Sequence, residues 1–393
     1  MSSGQRFGHS GNACSRAGPG GVREAGLCPR GGHWPRPGSR AVRTGILRLV
    51  RKIAILDDYI GVALDYGDWS GLPDNAEVTV YRESIPPERL VDELSRYEVV
   101  VITQQRARFP RTVLEGLPDL RLLVCNGRTS NVIDHEARVE RGVLLCGTAE
   151  TGAGAASPPS PAGHQALPGL PAPSELAWAL IFAVAKRTGI EDRAIRAGGW
   201  QTGFPVPLGG KTLGLLGAGR LGGAMVPVAK ALGMDVVAWS QNLTEERCAE
   251  LGIRRVTKER LLSSADVLGV FLVFSERTRA LVGARDLAAM KPGSIVVNVS
   301  RGPIVEEEAL VDALRTGHLA GAGLDVFDRE PLPAGHPFRS LDNVVLTPHI
   351  GYVTEQLFRT AWQRMAHDVV AYLAGSPIRV VSAPADLPPM APQ

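Results

Sequence analysis

Short apolar runs of strand length recur along this chain and alternate with helical stretches. A first series begins at Lys52 with KIAILDDY and continues through EVTVY, YEVVVIT, LRLLVCN and GVLLCGT. A second series begins after Lys211 with TLGLLG and continues through DVVAWS, VLGVFLVF, SIVVNVS, GLDVF and NVVLTPHI. Alternating strands and helices are typical of parallel sheets covered by helices on both faces. We therefore predict an α/β protein with two doubly wound parallel-sheet lobes.

Two segments interrupt the alternation. Residues 1–51, here called the leader, are rich in Gly and Pro and show no apolar periodicity. Such a composition buries too little apolar surface to offset the entropy of ordering, so we predict that the leader is disordered. Its Arg content leaves an organellar targeting segment as the alternative. The second segment, residues 151–173, is dominated by Gly, Ala and Pro and is predicted to be a flexible insert.

Charge and cysteine usage argue against several classes of partner. The net charge is +3, but residues 1–50 contain eight Arg and one Glu, so the rest of the chain is net acidic. No nucleic-acid partner is expected of an acidic body. The five cysteines form no CxxC pair, which predicts neither a disulfide framework nor a metal site. No apolar run is long enough to span a membrane, and we expect a cytoplasmic protein without membrane contact.

The sequence GAGRLG follows the apolar run TLGLL and precedes a helical stretch. In this context Gly217 permits a tight turn, Gly219 lets the backbone approach a pyrophosphate, and Gly222 lets helix and strand pack closely. Arg220 and Leu221 then stand at the helix N-terminus, which supplies an anion site. Glycines also end strands for structural reasons alone, but the strand before and the helix after favour a Rossmann domain that binds NAD(P).

The next strand, DVVAWS, ends where an NAD site carries an acid for the ribose 2′-hydroxyl. Ser240 occupies that position. Without an acid there is no charge to repel a 2′-phosphate, and Arg247 is a candidate partner for it; a solvated helix face is the alternative reading of this Arg. Equally, Ser240 or Asn242 can hydrogen-bond the 2′-hydroxyl. NAD is the expected cofactor, and the sequence leaves NADP open.

Three polar stretches follow strands of the second series, at the edge where open parallel sheets bind ligands. They are NVSRGPIVEEEAL, GLDVFDREPLP and LTPHIG, with Arg301, Glu330 and His349 as candidate reactive residues. An Arg fork can hold a carboxylate and polarise the adjacent ketone. A His can donate a proton near neutral pH, and a nearby carboxylate orients it and favours its charged form. Singly, each residue also has a structural reading as an ion pair, a turn cap or a buried ring.

The order GxGxxG, NVSRG, GLDVFDREP and TPHIG resembles the D-isomer-specific 2-hydroxyacid dehydrogenases over most of residues 53–375. The resemblance implies that Arg301, Glu330 and His349 form the catalytic set. It also implies that Asp325 lies near the nicotinamide carboxamide, although an Asp that ends a strand commonly starts a turn.

The resemblance further implies substrate contacts in the first lobe. Gly127 and Arg128 belong to NGRTSN, which resembles the loop whose backbone N–H groups receive the substrate carboxylate, although it departs from the commoner TG-type opening. Arg106 in QQRARF is another candidate substrate contact. A solvated surface charge is the alternative reading of Arg106.

The domains implied by the resemblance are discontinuous. Residues 52–172 form the first segment of a flavodoxin-like substrate domain, and residues 174–348 form the Rossmann domain. Residues 349–380 return to the substrate domain, and residues 381–393 form a tail. The insert is a departure, since members of the family have far fewer residues there, and it raises the question of whether it obstructs domain closure or subunit pairing.

We predict an oxidoreductase that transfers a hydride between NAD(P)H and a 2-oxo acid to give a D-2-hydroxy acid. By resemblance it is similar to hydroxypyruvate and glyoxylate reductases or to phosphoglycerate dehydrogenase, and it is a homodimer paired through its nucleotide lobes. The alternative is a dinucleotide-sensing, corepressor-like interaction protein of the same fold. Reduction of a small-molecule 2-oxo acid by the protein would favour the enzyme, and its absence would favour the interaction protein.

Overall fold

The structure is a computed structural model that describes residues 50–103, 106–127, 130, 132–148 and 170–381. The predictions for the leader, most of the insert, Arg128 and the tail lie outside these residues. None of the helices in the described ranges is long and apolar enough to cross a membrane.

The first lobe is a five-stranded parallel sheet. Its strands are β1 (Arg51–Ile55), β2 (Ala76–Val80), β3 (Val99–Ile102), β4 (Leu122–Cys125) and β5 (Leu144–Gly147). Its helices are α1 (Ala63–Tyr66), α2 (Leu90–Leu94), α3 (Arg111–Glu115) and α4 (His135–Glu140). The strand order β2-β1-β3-β4-β5 is that of flavodoxin-like sheets. Every residue of β3 and β4 is buried, as expected for unbroken apolar runs in a sheet covered on both faces.

The second lobe is a seven-stranded parallel sheet. Its strands are β6 (Thr212–Leu216), β7 (Asp235–Trp239), β8 (Arg254–Arg255), β9 (Val267–Val270), β10 (Ser294–Asn298), β11 (Leu319–Leu324) and β12 (Val344–Leu346). The remaining helices are α5 (Ala172–Ala185), α6 (Thr188–Arg196), α7 (Arg220–Ala231), α8 (Glu245–Leu251), α9 (Lys258–Ser264), α10 (Ala284–Ala289), α11 (Glu307–Arg315) and α12 (Glu355–Leu373). The order β12-β11-β10-β9-β6-β7-β8 is the Rossmann order with one added strand. The predicted fold class is confirmed.

Both sheets are packed on two faces. In β1, Ile53 and Ile55 belong to one apolar cluster, whereas Ala54 belongs to the cluster on the opposite face. In the second lobe, α5 and α7 contribute to one cluster, and α9, α10 and α11 contribute to the other. Each strand therefore buries alternate side chains against different helices, which gives each lobe three layers.

Helix α12 follows the last strand of the second lobe but packs against the sheet of the first. Its buried residues Trp362, Met365 and Val369 join the same cluster as Ile53 and Ile55. The guanidinium group of Arg364 donates to the carbonyl of Thr148, just after β5, at 2.9 Å. The chain thus crosses between the lobes twice, between β5 and α5 and again between β12 and α12, and the loop at the second crossing carries His349.

Candidate active site

A cavity of about 410 Å³ lies at the carboxyl ends of β6, β7 and β9. The strand order reverses between β6 and β9, and open α/β sheets bind ligands at such a switch point. Gly217, Gly219 and Ser240 line this cavity together with the segment Phe271–Val273 that follows β9. The glycine motif therefore lies at the position predicted for a dinucleotide.

The three glycines fit a bound dinucleotide for separate reasons. A Cβ on Gly217 would come within 2.8 Å of the carbonyl oxygen of Phe271, and the φ angle of Gly217 is +100°. A Cβ on Gly222 would stand 2.0 Å from the carbonyl oxygen of Gly217. A Cβ on Gly219 would meet no atom of the described residues within 4 Å. Gly217 and Gly222 thus permit close backbone packing, and Gly219 borders open space that a pyrophosphate can approach.

Helix α7 starts directly behind these glycines. Its first main-chain hydrogen bond runs from the N–H of Gly223 to the carbonyl of Gly219 at 2.8 Å. The N–H groups of Arg220 and Leu221 precede that bond, where a helix offers its amides and its positive dipole end to an anion. Ser174 of α5 donates to the Leu221 carbonyl at 3.0 Å and holds the first turn of α7 against α5.

Two arginines line the cofactor cavity. Ser240, Gln241, Asn242, Arg247 and Arg277 all line it, and its described lining contains no carboxylate. Arg247 donates to the carbonyl of Ala218 at 3.4 Å and pairs with Glu250 of its own helix at 2.9 Å. Arg247 therefore contacts the glycine motif. A purely solvent-exposed charge on the surface of α8, the alternative for this residue, would not need such a contact.

His349 and Glu330 form a hydrogen-bonded pair. The Nδ1 of His349 lies 2.6 Å from Oε2 of Glu330, and each side chain is 17% exposed. Glu330 also accepts a hydrogen bond from the N–H of Phe327 at 3.0 Å through its other oxygen. Burial opposes ionisation of Glu330, but these hydrogen bonds and the charge of the ring outweigh it and lower the pKa of this carboxyl. The carboxylate therefore fixes the imidazole and leaves Nε2 directed elsewhere.

Asp325 shapes the loop that carries His349. Its Oδ1 accepts from the hydroxyl of Thr347 at 2.6 Å and from the N–H of Ile350 at 2.8 Å. Its Oδ2 accepts from the N–H of Gly351 at 2.9 Å. These three bonds hold the backbone on both sides of His349, whose φ of +56° is unusual for a non-glycine residue. Contact between Asp325 and the nicotinamide stays a prediction.

Arg301 begins the turn after β10, and its guanidinium group donates to the neighbouring carbonyl of Ser300 at 2.7 Å. The Asn298 side chain donates to the Arg301 carbonyl at 2.9 Å and accepts from the N–H of Ser300 at 3.0 Å, which fixes the turn. Arg301 is not among the described residues that line the cavity beside His349. Its role as a substrate clamp stays a prediction.

A second cavity, of about 450 Å³, is lined by residues of both lobes. Glu330 and His349 contribute from the second lobe, and Asp57, Tyr59 and Arg106 contribute from the first. The first-lobe residues follow β1 and β3, the strands between which the order of that sheet reverses. The cavity therefore lies at the ligand-binding edge of the first sheet as well.

Asp57 and Tyr59 were not among the candidates from the sequence. Asp57 is 6% exposed and has a φ of +59°, and the hydroxyl of Tyr59 donates to its Oδ1 at 3.2 Å. Burial raises the pKa of Asp57 to about 6, although the charge of Arg106 opposes the shift. The sequence feature that could have indicated them is the polar stretch DDY directly after a buried strand.

Arg106 connects this group to the second lobe. Its guanidinium group lies 4.8 Å from the centre of the Tyr59 ring. One nitrogen donates to the carbonyl of Pro348, next to His349, at 3.3 Å. Its charge also contributes to lowering the pKa of Glu330. The structure thus places Arg106 in the wall of the cleft, and its contact with substrate stays a prediction.

Gly127 has a φ of +122°, and its N–H donates to the hydroxyl of Thr148 at 2.9 Å. This amide therefore already has a partner within the chain, and Arg128 lies outside the described residues. The predicted carboxylate-binding role of this loop remains a prediction.

Comparison with known proteins identifies the family. A profile of the NAD-binding domain of D-isomer specific 2-hydroxyacid dehydrogenases matches residues 178–351. Hydroxypyruvate reductase of Blautia hydrogenotrophica is 30% identical over 84% of this chain and 99% of its own length. Glyoxylate reductase of Thermococcus litoralis is 31% identical over 76% of this chain and 88% of its own length. The chain therefore belongs to the D-isomer specific 2-hydroxyacid dehydrogenase family.

Other relatives agree with this assignment. D-3-phosphoglycerate dehydrogenase of Archaeoglobus fulgidus is 31% identical over 84% of this chain, which spans only 58% of that enzyme's length. The crystal structure of a phosphoglycerate oxidoreductase from Vibrio cholerae O395 matches with a TM-score of 0.72 and 31% identity, covering 83% of this chain and 100% of that one. The predicted class, an oxidoreductase that uses a nicotinamide dinucleotide, is confirmed. The corepressor-like alternative finds no support in these relatives.

Proposed function

We propose that this protein reduces a 2-oxo acid to its D-2-hydroxy acid with NAD(P)H, and catalyses the reverse oxidation. One observation carries the proposal. His349 and Glu330 are paired at 2.6 Å in the wall of a cavity that both lobes line. The glycine motif of the second lobe, whose geometry fits a dinucleotide, supports the proposal because a bound cofactor would supply the hydride for the proton transfer that this pair performs.

His349 is the proton donor in this proposal. Its Nδ1 is held by Glu330, so Nε2 is the atom that gives its proton to the carbonyl oxygen as the alkoxide develops. The negative charge of Glu330 stabilises the positive ring before the transfer. When bound, the reduced nicotinamide supplies the hydride that adds to the carbonyl carbon. In the reverse reaction, neutral His349 takes the proton from the hydroxyl group.

Arg301 holds the substrate in this proposal. A guanidinium group has five N–H donors, and the contact with the Ser300 carbonyl uses one nitrogen. The remaining donors suit a planar carboxylate and the adjacent ketone oxygen. The Asn298 contacts that fix the turn support this role, because a clamp acts best when its backbone is already placed.

We infer that NADP(H) is preferred over NAD(H). The described lining of the cofactor cavity contains Arg247 and Arg277 but no carboxylate. A 2′-phosphate carries negative charge that Arg277 attracts, with a smaller contribution from Arg247 because it pairs with Glu250, whereas the usual acid at this position would repel it. Arg277 is exposed, and the structure gives it no ion pair within the described residues, so it is available to the phosphate.

Three further properties complete the proposal. Ile195, Trp200 and Phe204 are large apolar residues of the second lobe that are 54%, 73% and 96% exposed, and a second copy of the chain would cover them in a homodimer. The free, buried thiols of Cys125, Cys146 and Cys248 suit a reducing compartment such as the cytoplasm. An acidic body supports the expectation that no nucleic acid binds.

The test is reduction of a panel of 2-oxo acids by the purified full chain. NADH and NADPH are each offered with glyoxylate, pyruvate, hydroxypyruvate and bulkier 2-oxo acids, and loss of the reduced cofactor is followed by its absorbance. We expect one 2-hydroxy acid for each cofactor oxidised, and chiral chromatography should show the D product for every acid except glyoxylate, whose product is achiral. An L product, or no oxidation with any acid of the panel, contradicts the proposal.

A further inference from the structure

The cavity beside His349 is larger than the smallest 2-oxo acid requires. Its volume is about 450 Å³, whereas a water molecule takes about 30 Å³ of the liquid, so the five heavy atoms of glyoxylate fill roughly 150 Å³. Its described lining shares no residue with the cofactor cavity. Its described lining also lacks Asp325, the residue expected near the nicotinamide, so the extra volume is available to a substrate side chain.

The walls of this extra volume are apolar. Ile60 of the first lobe, Leu332 after Glu330, Leu346 of β12, and Val353 and Phe358 around the start of α12 all line the cavity. Apolar walls with a few convergent polar groups are typical of small-molecule sites. Ile60 is 53% exposed, and a ligand in the cavity would cover part of this apolar surface.

The charged groups in the same wall argue against a second anionic group on the substrate. Two carboxylates, Asp57 and Glu330, line the cavity together with two arginines, Arg106 and Arg339. The guanidinium group of Arg339 also donates to two main-chain carbonyls of the loop after Glu330, at 2.6 and 2.9 Å. A phosphate or second carboxylate would therefore meet negative as well as positive charge in this wall, and its desolvation would be only partly compensated.

From these observations we propose that the preferred substrate is a 2-oxo acid with a branched aliphatic or aromatic side chain, which occupies the apolar part of the cavity. This inference rests on the proposed function and names its substrate class. Each buried methylene group contributes about a fourfold gain in affinity, so a four-carbon side chain yields about a 10²-fold gain over glyoxylate. The side chain also covers the exposed apolar groups that the cleft presents.

The experiment compares kcat/KM for glyoxylate, hydroxypyruvate, 3-phosphohydroxypyruvate, 4-methyl-2-oxopentanoate and phenylpyruvate under the same conditions. We expect 4-methyl-2-oxopentanoate or phenylpyruvate to exceed glyoxylate by about 10²-fold. Turnover that favours glyoxylate, hydroxypyruvate or the phosphorylated acid overturns the inference and leaves the proposed function intact. Absence of turnover with every acid of the panel refutes the proposed function, and this inference with it.

Two variants locate the side-chain site. Phe358→Ala removes an apolar wall, and we expect it to lower the ratio of kcat/KM for 4-methyl-2-oxopentanoate over glyoxylate at least tenfold. Val353→Trp fills the cavity instead and should lower the same ratio without removing a packed side chain. Leu357→Ala is the matched control, because Leu357 precedes Phe358 on α12, is 45% exposed and does not line the cavity. An unchanged ratio in both Phe358→Ala and Val353→Trp overturns the assignment.

A binding measurement removes the dependence on turnover. Oxamate and N-isobutyl oxamate share a headgroup and differ by an apolar side chain, and each is titrated calorimetrically into the full chain with bound NADPH. We expect the isobutyl compound to bind at least tenfold more tightly, and Phe358→Ala to reduce this difference. Equal affinity of the two compounds contradicts an apolar side-chain site.

Discussion

Arg106 of the first lobe donates a hydrogen bond to the carbonyl of Pro348 in the second lobe, across 242 positions of sequence. The same guanidinium group lies over the ring of Tyr59. Arg106 therefore bridges the cleft at the residue that precedes His349, and it adds positive charge to a wall that also contains Asp57 and Glu330. Its loss should change both the charge and the closure of the site.

Replacement of Arg106 should weaken substrate binding more than the chemical step. In Arg106→Gln the wall that contains the carboxylates of Asp57 and Glu330 loses a positive charge, which weakens the attraction of an anionic 2-oxo acid, so we expect KM to rise about tenfold and kcat to fall less. Steady-state kinetics at low and high salt provide the measurement. Arg111→Gln is the control, since Arg111 is a surface residue of the same lobe that pairs with Glu140. A normal KM for Arg106→Gln would remove Arg106 from the substrate site.

Loss of the imidazole should separate binding from turnover. His349→Ala removes the proton donor, and we expect kcat to fall by about 10²- to 10⁴-fold, whereas the Kd for NADPH, measured by fluorescence titration, changes little. His318→Ala is the control, because His318 hydrogen-bonds the carbonyl of Leu287 outside both cavities. Undiminished turnover in His349→Ala would exclude the proposed proton transfer.

Asp325 should act through the loop that it holds. Asp325→Ala removes the acceptor for Thr347, Ile350 and Gly351, and we expect a loss of about 2–4 kcal/mol of unfolding free energy together with a large fall in kcat. Asp312→Ala, on the surface of α11, is the control. If Asp325 instead contacts the nicotinamide, the Kd for NADPH rises as strongly as kcat falls. Fluorescence titration and chemical denaturation distinguish the two roles.

Removal of the Asp57 charge should stabilise the fold at alkaline pH. Burial raises the pKa of Asp57 from 3.8 to about 6. The Asp57 carboxyl therefore contributes most favourably to the free energy of unfolding below pH 3.8, and this contribution is lost as the pH rises through about 6. We expect Asp57→Asn to raise the unfolding free energy at pH 8 by up to about 3 kcal/mol, since a pKa unit corresponds to about 1.4 kcal/mol.

Chemical denaturation between pH 4 and pH 8 checks the prediction, and the advantage of Asp57→Asn should shrink towards pH 4. Asp68→Asn serves as the control, because hydrogen bonds from Ser70 lower the pKa of this exposed carboxyl. A variant Asp57→Asn that is no more stable than the parent protein at pH 8 would show that the Asp57 carboxylate is well accommodated in its charged form.

Cofactor preference should follow the charge at the ribose end of the cavity. Arg277→Ser should raise the Kd for NADPH about tenfold and leave the Kd for NADH nearly unchanged, because only NADPH carries the 2′-phosphate. Ser240→Asp should reverse the preference towards NADH. Fluorescence titration gives both constants, and Arg260→Ser on α9 is a surface control. Equal losses of NADPH and NADH affinity in Arg277→Ser would contradict a 2′-phosphate contact.

Features encoded in contiguous sequence were predictable. The apolar runs marked the strands because buried parallel strands must be apolar on both faces. Gly217, Gly219 and Gly222 could be placed because the motif, its strand and its helix are adjacent in sequence. The pairing of His349 with Glu330 came from the resemblance to a family, since nothing local relates two residues 19 positions apart.

The contacts of individual side chains were harder to predict from the sequence. The sequence offers Arg301 as a clamp but does not show that its guanidinium group donates to the Ser300 carbonyl. The resemblance linked Asp325 to the nicotinamide, a contact that stays a prediction, but it did not indicate that the oxygens of Asp325 hold the loop of His349. Asp57 and Tyr59 were missed because their partner, Arg106, follows a different strand, and the strand order that brings them together is not local information.

The return of α12 to the first lobe also bears on how the protein is synthesised. The second lobe is formed by a continuous stretch of chain, whereas the face of the first sheet that contains Ile53 and Ile55 is covered by Trp362 and Met365. The strands of the first sheet therefore emerge from the ribosome long before α12, which covers one of its faces, has been synthesised. We expect the lobe that is translated first to be the last to complete its folding, and its nascent apolar face to depend on chaperones in the meantime.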